Sequence, residues 1–409
     1  MEVVALLPLR RLVEDGFLNP AMQDSCHHKP RLSVLCYGRF FDEIPGGIQT
    51  HTLHLMRSLA GDVDFVHAVT SRDRSGACLR AGPRIPVIRT PSWNVDGSLA
   101  LSPGLVTQTR RLHRKHRFDL VHLHFPDPMA HLASMVLPAS IPRVISWHAD
   151  ILRHRALGLF YGPLLRKAVA SARGIIVATP AHITSSPVLS PLDGDPKLHV
   201  IPYGFDLTRF LQPSAGAAAI KARYPGRLVF SAGRHVSYKG FRVLIEAFAG
   251  LPEDVHLLLG GRGPLTDDLK RQTSALGLDK RVHFLGFVPD ADLAAHYQAA
   301  DIFCLPSVTQ AEAFGIVQVE AMACGKPVVS TRLNNGVDYV NQDGVTGLVV
   351  TPGDTAELRH AIGRLLDEPA LAARLGSNGR AKAIGEYSLG SLRERTLSVY
   401  RAEIGKRSE

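Results

Sequence analysis

Residues 227–249 read RLVFSAGRHVSYKGFRVLIEAFA. An apolar run of strand length, RLVFSA, stops at Gly233, and a second run resumes at Phe241 with its apolar residues at helical spacing. The turn between them carries Arg234 and Lys239 and opens a helix near Gly240. Strand, polar turn and helix in that order make the repeating unit of a parallel sheet with crossover helices. Two cations at a strand's carboxyl end suit a diphosphate, Arg through its planar fork and Lys as a point charge. Gly233, Arg234 and Lys239 are therefore candidate anion-binding residues.

The same alternation runs outward in both directions. Downstream come the strand candidates VHLLLG, RVHFLGF, DIFCLP, KPVVST and GLVV, and from Asp354 a helical tail without strands. Upstream, beyond the Ala-, Pro- and Gly-rich stretch LQPSAGAAA, lies a second series: RLSVLCY, DFVHAV, IPVIRT, DLVHLHF, RVISWHA and GIIVAT. Its first helix, IQTHTLHLMRSLA, spaces Ile48, Leu53, Leu55, Met56 and Leu59 to bury one side. The fold class is thus α/β, with two Rossmann-like, doubly wound domains, an interdomain cleft and C-terminal helices. The boundaries expected are a poorly ordered extension over 1–30, one domain over 31–205, a second over 206–385, and a final helix over 386–409 packing back on the first. Open sheets of this kind bind ligands beyond the carboxyl ends of their strands.

Residues 311–329, AEAFGIVQVEAMACGKPVV, hold the second constellation. Gly315 can begin a helix, and the free N–H groups of Phe314, Gly315 and Ile316 then point outward, where they can bind anionic or hydroxyl oxygens. Glu312 and Glu320 flank them. A carboxylate beside a phosphate repels it, so these two make sense as acceptors of hydrogen bonds from sugar and ribose hydroxyls. An isolated Glu pair is more often a pair of solvated surface acids; the two cations in the same half weigh against that reading.

With 409 residues, 45% hydrophobic and 21% charged, the chain has the composition of a globular protein of two or three domains. The net charge of +10 is uneven, with 23 Lys/Arg against 15 Asp/Glu before Phe205 and 24 against 22 after it. Such a positive half can attract nucleic acid, an anionic membrane or an acidic small molecule. The five cysteines are odd in number, widely spaced and without a C-x-x-C pair, which supports neither a disulfide framework nor zinc and points to a reducing, cytoplasmic setting. No apolar run is long enough to span a bilayer. Three D-x-D pairs, Asp62/Asp64, Asp193/Asp195 and Asp290/Asp292, lie at a strand start, in a loop and at a helix start, and no metal is expected.

The segments GRHVSYKG and EAFGIVQVEAMACGKPVV resemble the donor-site motifs of retaining glycosyltransferases of family 4, which have the GT-B fold. The resemblance extends from about Arg31 to the C-terminal helices and includes PGGIQTH, DLVHLHFPDP, SWHAD, IPYGFD and GGRGP in family order. It implies that Glu312 contacts donor-sugar hydroxyls, that Glu320 contacts the ribose, and that Arg234 and Lys239 hold the diphosphate. It further implies that Gly47 lets backbone approach the phosphates where a side chain would clash, and that His148 faces the reacting sugar. Asp127 and Asp150 are the candidate acceptor contacts, Asp150 as recipient of an acceptor hydroxyl, and Asp127 stands where related mannosyltransferase-like sequences often have Asn. The nucleobase is expected against LGFVPDADL, near Phe287 and Val288. The pairs His51/His54 and His122/His124 read as structural or as cleft lining. Arg262 in GGRGP departs from the family's common acidic residue.

The phrases SWHADILR and YGPLLRKAVASARGIIVATPAHITSSPVL look most like bacterial mannosyl- or rhamnosyltransferases that build polysaccharide O-chains. That implies GDP-mannose as co-substrate with no cofactor, a lipid-linked glycan acceptor, and peripheral attachment at the inner face of the plasma membrane. The basic cluster RRLHRKHR at 110–117 suits an anionic lipid surface, and no nucleic-acid partner is expected. The alternatives are a UDP-sugar-dependent transferase, a nucleotide-sugar epimerase of the same fold, and a catalytically silent nucleotide-sugar sensor. A dinucleotide dehydrogenase lacks its complete G-x-G-x-x-G.

Overall fold

The first ten strands in chain order are β1 (Leu32–Arg39), β2 (Val63–Ser71), β3 (Cys78–Gly82), β4 (Ile85–Pro91), β5 (Trp93–Asn94), β6 (Ala100–Leu101), β7 (Leu120–Phe125), β8 (Arg143–Trp147), β9 (Gly174–Val177) and β10 (Leu198–Val200). The remaining six are β11 (Arg227–Ala232), β12 (Val255–Gly260), β13 (Val282–Gly286), β14 (Ile302–Leu305), β15 (Val328–Thr331) and β16 (Gly347–Val350). They come from a computed structural model, which describes residues 31–39, 47–72, 78–82, 85–94, 100–149 and 155–406. The expected extension over 1–30 and the candidate Asp150 lie outside the described residues.

Among these strands, β5 and β6 pair only with each other, and the other fourteen form two sheets. The first has the order β10-β9-β8-β7-β1-β2-β4-β3 and the second β13-β12-β11-β14-β15-β16. Among the described residues, the strand pairings within them are parallel except that of β3 with β4. β7 is buried along its whole length, as is β14, and each reads as a near-continuous apolar run because helices cover both faces of its sheet. Apolar clusters fill both faces of each sheet.

Strand order reverses direction between β1 and β7 in the first sheet and between β11 and β14 in the second. Crevices at such switch points lie outside the carboxyl ends of the strands. The last helix, Leu389–Gly405, returns to the first sheet. Its Leu392, Leu397, Val399 and Tyr400 share a core with Leu55 and Met56, and Arg393 donates to Asp62 at 2.6 Å. The return is pinned at the linker, where Phe205 N–H donates to Tyr387 O at 2.8 Å and Phe205 bridges Ser388.

Three elements differ from the sequence reading. Part of the Ala-rich stretch read as a separator is the helix Gly216–Arg223, since Ala is the best helix former. The antiparallel edge strand β3 and the ribbon β5–β6 carry too few alternating positions to stand out. The helix expected over YGPLLRKAVASA extends further toward its N-terminus, as Arg155–Ser171.

Candidate active site

The C-terminal half of the site is built on the carboxyl ends of β11 and β14. After β11 the chain passes Gly233 and Arg234 into a single 3-10 turn, Ser237–Lys239, and Gly240 follows in the left-handed conformation. Lys239 folds back over Gly233: a β-carbon there would lie 3.3 Å from Lys239 Cε. Its Nζ reaches Glu312 Oε2 at 2.5 Å, and Ser307 Oγ donates to the same oxygen at 3.0 Å. Lys239 and Glu312 are each 9% exposed, so the pair is shielded from water and each charge depends on the other. Asn335 Nδ2 donates to the Glu312 carbonyl at 2.7 Å and fixes the loop. The family resemblance implies separate ligand contacts for Lys239 and Glu312; the structure brings the two side chains into direct contact.

Arg234 is exposed; its carbonyl accepts from Val236 N–H at 2.9 Å, but its guanidinium makes no ion pair or hydrogen bond with the described residues. It is the cation of the turn that is left for a ligand. Arg262 is also exposed and lies against Gly286, with its Nε 3.1 Å from where a β-carbon would stand. Val288 packs over Gly260, while Phe287 is 70% exposed.

The loop after β14 enters the helix Ile316–Ala323 through Gly315, at φ 69°. A β-carbon at Gly315 would lie 2.6 Å from Leu305 Cδ2, so only glycine fits the turn without a shift. Gln318 Nε2 donates to Phe314 O at 2.9 Å and Val337 O at 3.2 Å, which holds the turn from below. No described carbonyl accepts from the N–H of Phe314, Gly315 or Ile316. They form the positive end of the helix. Glu320, one turn further along, does not join the Lys239–Glu312 pair. Its Oε2 accepts from Tyr297 Oη at 2.8 Å, and Oε1 lies 3.9 Å from Arg209. Burial pushes its pKa up. It lines an open pocket with His54, Phe205, Asp206 and Arg209.

The opposite half uses the carboxyl ends of β7 and β8. His148 follows β8, and its Nε2 lies 3.0 Å from His124 Nδ1, with the two rings stacked at 5.3 Å. Burial and the neighbouring imidazoles hold both pKa values well below the ordinary range, so both rings are neutral. Of the histidine pairs read from sequence, His122 is internal: Tyr400 Oη lies 2.6 Å from its Nδ1 and Ser146 Oγ 2.8 Å from its Nε2. His124 instead touches His148, and His51 lies 5.4 Å from the His148 ring.

Asp127 caps the helix Pro128–Ser134, its Oδ1 accepting from Ala130 N–H at 3.0 Å. Burial raises its pKa from 3.8 to about 6. It lines a pocket shared with Arg39, Thr52, His67 and His124. Gly47 is the first residue of the helix Gly47–Leu59, and nothing lies within 4 Å of where its β-carbon would stand. Of the D-x-D acids, Asp62 binds Arg393, Asp195 caps Lys197 N–H at 2.9 Å, and Asp290 with Asp292 opens the helix Asp290–Ala299.

The two halves meet at Tyr203 in the linker. Its ring lies 6.0 Å from His148, 4.9 Å from His51 and 5.4 Å from Phe314. Sequence reading missed Tyr203, together with Thr52, Ser307 and Tyr297, because each acts through a neighbour distant in sequence. The assembled site sets a cationic turn and a helix N-terminus against neutral imidazoles across a cleft, an arrangement for an anionic ligand carrying a hydroxyl-rich group.

Known proteins share this organisation. Residues 219–382 match the family model "Glycosyl transferases group 1" and residues 45–209 match "Glycosyltransferase Family 4". A D-rhamnosyltransferase of Pseudomonas aeruginosa is 35% identical over 265 residues, 64% of this chain and 68% of that protein. A phosphatidyl-myo-inositol mannosyltransferase of Mycobacterium leprae is 32% identical over 380 residues, 90% of this chain and 96% of that protein. Among solved structures, an Anabaena protein crystallised in complex with UDP superposes with a TM-score of 0.68 at 24% identity, covering 91% of this chain and 100% of that one. With both halves matched and relatives aligned along most of their length, the chain belongs to glycosyltransferase family 4 and has the GT-B fold.

Proposed function

We propose that this glycosyltransferase moves mannose from GDP-mannose to a lipid-linked oligosaccharide, with retention of anomeric configuration and without a metal ion. The observation that carries the reading is the group formed by exposed Arg234, the buried Lys239–Glu312 pair and the free N–H groups before the helix Ile316–Ala323. Arg234 supplies the uncompensated positive charge for the diphosphate, Lys239 offers it the ammonium protons that Glu312 does not take, and the N–H groups add donors where charge develops on the leaving oxygen. Glu312, already accepting from Lys239 and Ser307, retains acceptor capacity for a sugar hydroxyl.

Transfer then needs no protein nucleophile. The bond between the anomeric carbon and the phosphate oxygen breaks, the acceptor oxygen bonds to the same face, and its proton passes to the departing phosphate. His148 faces that exchange as a neutral hydrogen-bonding group. The mannosyl and rhamnosyl relatives support a hexose donor, and the O-chain-like phrases around His148 support a lipid-linked acceptor.

Two surface features support docking on an anionic bilayer. Arg110, Arg111, Arg114, Lys115 and Arg117 are exposed on and just after the helix Pro103–His116. Just before it, Trp93 and Leu101 pair across the β5–β6 ribbon and are 62% and 43% exposed. Each basic residue near such a surface contributes about 1 kcal/mol. Among the described residues no helix is long and apolar enough to cross a membrane.

The test is a panel of GDP- and UDP-sugars, incubated with and without a lipid-linked oligosaccharide, with proton NMR of the product's anomeric centre. GDP-mannose consumption that depends on acceptor and yields an α-linked product is expected. A β-linked product, preference for UDP-sugars, or donor conversion without acceptor would each overturn the corresponding part.

A further inference from the structure

A chain of single hydrogen-bond donors runs from the first helix to the linker. Thr52 has one hydroxyl proton, and it goes to Ile48 O at 2.8 Å. Thr52 Oγ1 also lies 3.2 Å from His124 Nδ1. With its proton spent, the hydroxyl can only accept there, so His124 carries its proton on Nδ1. The same Nδ1 lies 3.0 Å from His148 Nε2. Were His148 protonated on Nε2, His124 Nδ1 would be bare, and its lone pair would face the Thr52 oxygen. With His124 Nδ1 as donor to both neighbours, His148 Nε2 accepts.

A neutral imidazole has one ring proton, and the close stacking of His122, His124 and His148 disfavours a second on any of them. The His148 proton therefore sits on Nδ1, which lies 3.4 Å from Tyr203 Oη. Tyr203 accepts at that contact and keeps its own hydroxyl proton. Among the described residues no acceptor takes it.

We propose that Thr52 and His124 are positioning residues that hold His148 with its proton on Nδ1, so that the Tyr203 hydroxyl is a hydrogen-bond donor into the cleft. The recipient is an oxygen of the transferred sugar or of the acceptor, since Tyr203 stands between His148 and Phe314. The proposal rests on the reading of His148 as facing the reacting sugar.

The experiment combines kinetics with nitrogen-15 NMR of histidine-labelled full-length protein, signals being assigned by the loss of each in His124→Gln and His148→Gln. Both residues are expected to be protonated on Nδ1 and bare on Nε2. Thr52→Val should shift His124 toward protonation on Nε2 and lower kcat about tenfold, with KM for the nucleotide sugar within about twofold. Thr52→Ser, which keeps the hydroxyl, should restore both tautomer and turnover. Tyr203→Phe should lower kcat to a similar degree without moving the His124 and His148 signals. A His148 proton found on Nε2, or Thr52→Val with unaltered turnover, overturns the relay. Full activity of His148→Ala would instead remove the underlying reading of His148, which keeps the two failures distinct.

Discussion

Lys239 Nζ and Glu312 Oε2 lie 2.5 Å apart although 73 residues separate them in sequence. One stands on the turn after β11 and the other in the loop after β14, the two strands that flank the switch point of the second sheet. Replacing Lys239 alone leaves a buried carboxylate without its cation. Lys239→Met is expected to destabilise the protein by about 3–5 kcal/mol and to abolish turnover. The double variant Lys239→Met with Glu312→Gln should recover most of the stability and none of the activity. Denaturant unfolding and a transfer assay on the four proteins of the cycle read both quantities; recovered activity in the double variant would refute the assigned chemistry.

Gly315 holds φ at 69° against Leu305. Gly315→Ala forces a β-carbon into that contact and strains the turn by about 1–3 kcal/mol. The N–H groups of Phe314, Gly315 and Ile316 then lose their common direction, so nucleotide-sugar affinity should fall more than melting temperature. Thermal unfolding with and without GDP-mannose measures the difference.

Glu320 depends on Tyr297. Burial already pushes its pKa up, and the hydrogen bond donated by the Tyr297 hydroxyl counters this by favouring the carboxylate. Tyr297→Phe should raise the pKa further, protonate part of the carboxyl and weaken nucleotide binding about tenfold. The loss should be smaller at higher pH, where Glu320 is again ionised. Titration calorimetry at two pH values tests this.

The imidazole cluster makes stability depend on pH. His51 and His67 are lowered to about 4 and His122 to about 3, chiefly by burial, and His124 and His148 also lie well below 6.5. Below pH 6.5 the unfolded chain takes up protons on these rings that the folded chain refuses, so stability falls as pH drops toward 4. Asp127 acts in the opposite sense, because its folded pKa of about 6 makes the native state the better proton binder between 3.8 and 6. Five rings outweigh one carboxyl. Urea unfolding at pH 7, 6 and 5 should show steadily falling stability, and a flat profile would remove the neutral-cluster description.

Vesicle binding tests the basic helix. Cosedimentation with vesicles containing anionic lipid should weaken as salt rises, since exposed charges are screened within about 10 Å at 0.1 M. Trp93→Ala should weaken it further at every salt concentration. Binding that ignores both salt and lipid charge would contradict the docking surface.

Much of this was legible in sequence. Alternating apolar runs marked the strands that are buried on both faces, and turn chemistry marked Gly233, Arg234, Lys239, Glu312 and Gly315. What escaped were relationships made only when distant strands align. Tyr297 meets Glu320 across 23 residues, His122 meets Tyr400 across 278, and Thr52 meets His124 across 72. The edge strand β3 and the ribbon β5–β6 escaped for a different reason, since short pairings carry too few alternating positions to be seen.

Arg234 offers the most direct test, because its guanidinium is exposed and bonded to no described residue, so truncating the side chain leaves the folded site otherwise unchanged. The measurement is a calorimetric titration of GDP-mannose into the natural protein and into Arg234→Ala. Loss of a charge-assisted contact to the diphosphate predicts a Kd raised about tenfold or more in the variant, with the melting temperature unmoved. A Kd equal in the two proteins would contradict the claim that this cationic turn holds the donor.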